Sequence, residues 1–213
     1  MRLILTFLLT MVAGIAFSQK YGVKIGPNIT NHKISASNDV DFLSMDEQWG
    51  ISGEFFADWD LGEDISFYTG LSVQSFGAKS KYEFDDVVTE EEIQAYYLQL
   101  PMRFRANLQL EEHLSAYAFA GPYVARSLSA KRDTPAPNSA QIGGSPSMAT
   151  SPEQLKPEMN PWDFGFSFGG GAFYRQLVFE VKYDMGVTNV WKLEEPIIRK
   201  SNYSFSMMFG YIF

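Results

Sequence analysis

The sequence contains no cysteine and two histidines, His32 and His113, which lie far apart in the chain. A disulfide framework, a thiolate metal site and a lipidated cysteine behind an export signal are therefore excluded. A histidine-rich metal site is not expected either. Basic charge is scarce: 17 Lys and Arg against 25 Asp and Glu give a formal charge of −8. That is the wrong sign for a nucleic-acid footprint. Beyond residue 18 no apolar run approaches the roughly 18 residues that a membrane helix needs. Aromatic residues, by contrast, are plentiful: 18 Phe, 11 Tyr and 4 Trp stand beside 17 Gly.

The first residues read as an export address. Arg2 precedes an almost wholly apolar stretch from Leu3 to Phe17, and Ala16 and Ser18 put small residues at −3 and −1 of a cut before Gln19. This is a secretory signal pattern, too short to span a membrane. The expected organisation is a signal peptide over 1–18 and one domain over 19–213.

Within that domain the hydrophobic period is two. In 47–59, Trp49, Ile51, Gly53, Phe55, Ala57 and Trp59 alternate with Gln48, Gly50, Ser52, Glu54, Phe56 and Asp58. Successive strand side chains point to opposite faces, so one face is apolar and the other polar or small. Trp162, Phe164, Phe166 and Phe168 alternate likewise with Asp163, Gly165, Ser167 and Gly169. Tyr203, Phe205, Met207, Phe209, Tyr211 and Phe213 alternate with Asn202, Ser204, Ser206 and Gly210. Eight such runs are present: 20–30, 47–59, 65–79, 95–108, 114–128, 161–174, 177–189 and 201–213. In 114–128 both faces are apolar, Tyr117, Phe119 and Tyr123 opposing Ala116, Ala118, Ala120 and Val124. Turning those aromatics outward puts Arg126 inward, and that phase is the expectation.

The gaps alternate in length. Those at 60–64, 109–113 and 175–176 are short, whereas 31–46, 80–94, 129–160 and 190–200 are long. Short turns at one end and long loops at the other is the plan of an outer-membrane barrel. The expected fold is all-β: an eight-stranded antiparallel up-and-down transmembrane β-barrel. Both termini and the short turns would face the periplasm, and the Pro-rich loop 129–160 would be mobile and extracellular.

A soluble, lipocalin-like binding barrel would also alternate, with its apolar face inward. Three features favour the membrane. The polar face of 65–79 (Ser66, Tyr68, Gly70, Ser72, Gln74, Phe76) has no charge, unlike a solvent surface. The charges that do fall on this face balance: Lys24, Arg103, Arg105, Arg126 and Lys182 against Glu54, Asp58, Asp163, Glu180 and Asp184. Such matching suits a paired network in a narrow lumen, where a lone buried charge is costly. Finally, Tyr21, Trp49, Trp59, Tyr96, Trp162, Tyr174, Tyr203 and Tyr211 mark strand ends as interfacial girdles do. The closing Phe209, Tyr211 and Phe213 resemble the signal read by the outer-membrane barrel assembly machinery.

GVKIGPN (22–28), YLQLP (97–101), GPY (121–123), DFGFSFGGGAF (163–173) and the closing aromatic strand resemble the PorT-like outer-membrane barrels of Bacteroidetes. The resemblance implies an eight-stranded barrel in the outer membrane. It also implies, through the family's namesake, an accessory role in type IX protein secretion. It carries over no catalytic residue.

An eight-stranded barrel is just wide enough for side chains to fill it or for one small ligand. With Phe56, Tyr68, Phe76, Arg103 and Arg105 inside, the lumen is expected to be plugged. A lipid-modifying enzyme would need an external His beside a Ser or an acid. His32, near Ser35, Ser37, Asp39 and Asp41, is the candidate, although an ordinary polar loop is the plainer reading. Gly165, Gly169, Gly170 and Gly171 are no phosphate loop, since no helix follows. The acidic stretch Asp85, Asp86, Glu90, Glu91 and Glu92 lacks the spacing of a calcium hand. The expectation is thus a non-enzymatic, cofactor-free, monomeric barrel acting as a binding or scaffolding module. Its partners would be outer-membrane lipid and lipopolysaccharide, the assembly machinery and secretion components, and not nucleic acid.

Overall fold

Strands carry nearly all of the described chain. The computed structural model describes residues 19–36, 45–84, 87–133, 153–154, 160–189 and 198–213. The expected signal peptide, the Ser37, Asp39 and Asp41 positions, Asp85, Asp86 and most of loop 129–160 lie outside them.

Eight long strands follow one another: β1 (Gln19–Ala36), β2 (Met45–Asp60), β3 (Ile65–Phe84), β4 (Val87–Glu111), β5 (Leu114–Asp133), β7 (Trp162–Tyr174), β8 (Leu177–Gly186) and β9 (Ile198–Ile212). A two-residue strand, β6 (Glu153–Gln154), pairs with β5 at Lys131 and Arg132. Each long strand pairs antiparallel with its neighbour in the chain, and β1 pairs with β9 to close the ring. Closure leaves no open edge, so backbone groups of the wall are satisfied by neighbouring strands, as hydrocarbon requires. Among the described residues no helix is long and apolar enough to cross a membrane.

The short connections fall where the spacing puts them, at 61–64, 112–113 and 175–176. The long-loop end differs from expectation. Residues 80–94 are a hairpin, with β3 and β4 paired out to Phe84 and Val87. β1 and β9 likewise pair as far as Ala36 and Ile198. Apolar alternation stops where the wall leaves the membrane, but backbone pairing needs only an extended neighbour.

The faces are sorted by polarity, with the charges inside. Ile25, Trp49, Ile51, Phe55, Phe104, Phe166 and Phe209 are exposed on the outer wall, while Lys24, Glu54, Arg103, Glu180 and Lys182 are buried. A soluble barrel has the reverse arrangement, and this inversion removes that reading.

The phase of β5 corrects the sequence reading. Tyr117, Phe119 and Tyr123 point inward and are buried, while Ala118, Ala120 and Arg126 are exposed on the outer wall. The reason lies on β7. The register sets Tyr117 opposite Gly171, Phe119 opposite Gly169 and Tyr123 opposite Gly165. A Cβ at those glycines would lie 2.5 Å from the Tyr117 hydroxyl, 2.8 Å from the Phe119 ring and 2.5 Å from the Tyr123 ring. Each inward aromatic therefore lies over an inward glycine across the strand pair, a packing that side chains on both strands would forbid. Gly22 and Phe56 repeat it between β1 and β2.

Candidate functional site

The lumen is filled by two aromatic clusters and a layer of ions. Phe56, Tyr68, Tyr117, Phe119 and Val178 pack toward the short-turn end. Phe76, Ala95, Tyr97, Tyr123, Ala125 and Ala130 pack toward the long-loop end. The ions come from alternate positions of four strands, β1, β2, β4 and β8, because period two aims every second side chain at the axis.

Lys24 of β1 reaches Glu180 of β8 at 2.7 Å and Glu54 of β2 at 3.2 Å. Arg103 of β4 spans Glu180 at 3.5 Å, Glu54 at 3.6 Å and Asp184 at 4.0 Å. Arg105 binds Asp58 at 2.5 Å and Glu180 at 3.7 Å. Lys182 binds Asp184 at 3.1 Å and Glu54 at 3.8 Å. These four cations and four carboxylates are wholly shut off from solvent, apart from traces at Arg103, Arg105 and Asp58. The cost of drying such charges is repaid only when geometry and further hydrogen bonds are good.

Those bonds are present. The Tyr68 hydroxyl donates to Glu54, the Ser167 hydroxyl donates to Asp184, and the Tyr117 hydroxyl donates to Glu180 at 2.9 Å. Lys182 also donates to Gln74 Oε1 at 3.4 Å, and Gln74 donates to Gln99 at 2.5 Å. Rings take up the cation faces: Lys24 and Arg105 each lie 4.6 Å from the Tyr68 centroid, and Arg105 lies 4.1 Å from that of Tyr117. Arg103 lies 4.8 Å from the Phe119 centroid. Cation–π contacts of this kind gain most when desolvated.

Of the ten residues expected in the lumen network, eight meet in this layer. Asp163 is buried but stands apart, nearer the long-loop end. It accepts from Thr188 at 2.5 Å, Asn202 at 3.0 Å and Tyr123 at 3.5 Å, and it has no cationic partner among the described residues. Arg126 does not join at all. It points outward, because the β5 phase is opposite to that expected. Tyr117 is the member that the sequence reading missed, for the same reason. Its signal was the glycine it faces, Gly171, which single-strand alternation does not reveal.

His113 is exposed in the turn after β4. His32 is set opposite Asn202 in the β1–β9 register, and its side chain lies outside the described residues. No cluster of three or more metal-ligating side chains occurs among the described residues. Phe209 and Tyr211 are exposed on the outer wall, with Phe213 beyond the end of β9 and 5.9 Å from the Tyr211 ring.

Residues 17–192 match the outer membrane protein beta-barrel domain. The chain belongs to that family. It is an outer-membrane β-barrel embedded in lipid, crossing with strands whose aromatic faces meet hydrocarbon. Among solved structures, the barrel is similar to OprG from Pseudomonas aeruginosa, with 10% identity, a TM-score of 0.50, and 92% of this chain and 96% of that one covered. It is also similar to Ail, the attachment invasion locus protein of Yersinia pestis, with 14% identity, a TM-score of 0.41, and 92% and 100% covered. Neisserial surface protein A gives 12% identity, a TM-score of 0.42, and 91% and 97% covered. At such identities the OprG likeness concerns the fold alone. No curated protein matches the sequence.

Proposed function

We propose that this outer-membrane barrel is a plugged, non-enzymatic scaffold that binds partners at its long-loop end. One observation carries the reading: the ion layer crosses the lumen from β1 to β4 and β8, with its carboxylates held by cations on other strands. A path for solutes would have to break several dry ion pairs at once. The β3–β4 hairpin, paired to Phe84 and Val87, extends the wall at the outer end. In planar bilayers the purified chain is expected to show no large, stable single-channel conductance; steady porin-like openings would overturn the plug.

The resemblance to PorT-like barrels of Bacteroidetes supports one specific version, an accessory role in type IX protein secretion. Deleting the gene is expected to abolish secretion of type IX cargo; normal secretion in the deletant would leave the general scaffold without that role. In this reading residues 1–18 direct export, and Phe209, Tyr211 and Phe213 are read by the barrel assembly machinery. The finished protein works as a monomer without a cofactor.

A further inference from the structure

Arg126 is a cation on the wrong side of the wall. A lipid-facing arginine is costly at the bilayer midplane and nearly free of cost near an interface. Its height therefore decides what it can do. β5 starts at Leu114 beside the short turn, and Arg126 lies twelve residues further along. At about 3.3 Å per residue and a tilt of roughly 40°, that is a rise of about 30 Å. The apolar band is about 25 Å tall, so Arg126 stands just beyond it, at headgroup level. The short turns and both termini mark the periplasmic end, so this is the outer leaflet.

Among the described residues its surroundings supply a ring and no paired acid. The guanidinium carbon lies 5.5 Å from the Trp162 ring centroid, and Trp162 is itself exposed opposite it in the β5–β7 register. Arg126 forms no ion pair among the described residues. The neighbouring carboxylate, Asp163, points into the lumen, where three donors occupy it. Further out on β5, Lys131 adds a second exposed cation. Apolar Leu128 and Phe164 are exposed beside the pair. The patch is thus a guanidinium braced on an indole, with no ion pair among the described residues and with acyl-compatible side chains next to it.

We propose that Arg126 and Trp162 form a lipid site that binds a phosphate of the outer-leaflet glycolipid, the lipid A moiety of lipopolysaccharide. A guanidinium recognises phosphate through paired, charge-assisted hydrogen bonds, and Trp162 holds its plane against the wall. The acyl chains lie over Phe164. The site is independent of the lumen plug.

The test uses the full folded chain in zwitterionic detergent, titrated with lipid A, with dephosphorylated lipid A and with inorganic phosphate. Binding is read by native mass spectrometry. Lipid A is expected to bind saturably and the dephosphorylated form at least about tenfold more weakly, as loss of one charge-assisted contact implies. Inorganic phosphate alone is expected to leave the site empty. Arg126→Gln should lose lipid A binding by a similar factor, and Arg126→Lys should fall between, since it keeps charge but not the planar fork. Equal lipid A binding by wild type and Arg126→Gln would overturn the proposal, as would equal binding of the dephosphorylated lipid. Inorganic phosphate binding as tightly as lipid A would show an anion site rather than a lipid site. Should Arg126→Gln fail to fold, Arg126→Lys and the lipid comparison decide the matter.

Discussion

At the scale of single residues, Glu180 is the hub of the lumen. It meets Lys24, Arg103, Arg105 and Tyr117. Glu180→Ala would take one carboxylate from each of three buried cations, leaving Lys24 and Arg103 with Glu54 and Arg105 with Asp58, and breaking a buried pair costs about 3–5 kcal/mol. Urea unfolding in detergent should show a loss of that size; a change near zero would mean that the ions are wet. The aromatic–glycine contacts make a second demand. Gly169→Ala brings a Cβ to 2.8 Å from the Phe119 ring and 2.1 Å from the Val181 carbonyl. Overpacking of this kind costs about 1–3 kcal/mol. Phe119→Ala in the same chain should recover part of it, by relieving the ring contact but not the backbone one. Additive losses would show that ring and glycine are not coupled.

At the scale of elements, every strand alternates with period two and most are amphipathic, so a phase error moves every side chain to the other environment. β7 is unambiguous: Phe166 is exposed and Ser167 is fully buried against Asp184. Phe166→Arg should lower stability in bilayers by about 2–4 kcal/mol, the cost of a lipid-facing charge within the apolar band. β5 is the element on which sequence and structure part. A spin label at Ala118 is expected to be quenched by lipid-soluble oxygen and shielded from a water-soluble relaxant. The opposite pattern would restore the outward aromatic phase. The β3–β4 hairpin, paired to Phe84 and Val87, likewise converts an expected loop into a paired projection.

At the scale of the whole molecule, closure is the controlling event. The seam joins the two ends of the described chain, with Gly22 opposite Ile212 and Val23 opposite Tyr211. Removing residues 209–213 strips four register pairs from the short-turn end of that seam and exposes unpaired backbone to lipid. The full chain is expected to run as a heat-modifiable, compact band on gels, and the truncated chain should lose it. A retained compact band would mean that closure does not depend on these pairs. Closure also assembles the site, because Lys24 on the first strand meets Glu180 on β8 only when the ring is shut.

The sequence by itself determined the strand count, the alternation of short and long connections, the lipid-facing side of most strands and, Arg126 excepted, the charges bound for the lumen. Those follow from local rules, since a strand's side chains alternate regardless of what surrounds it. The tertiary structure decided which ions pair, because Lys24 and Glu180 are 156 residues apart. It also decided the phase of β5, whose two faces are both apolar. There the choice rests on the glycines of β7, which leave room for Tyr117, Phe119 and Tyr123 inside and turn Arg126 toward the membrane.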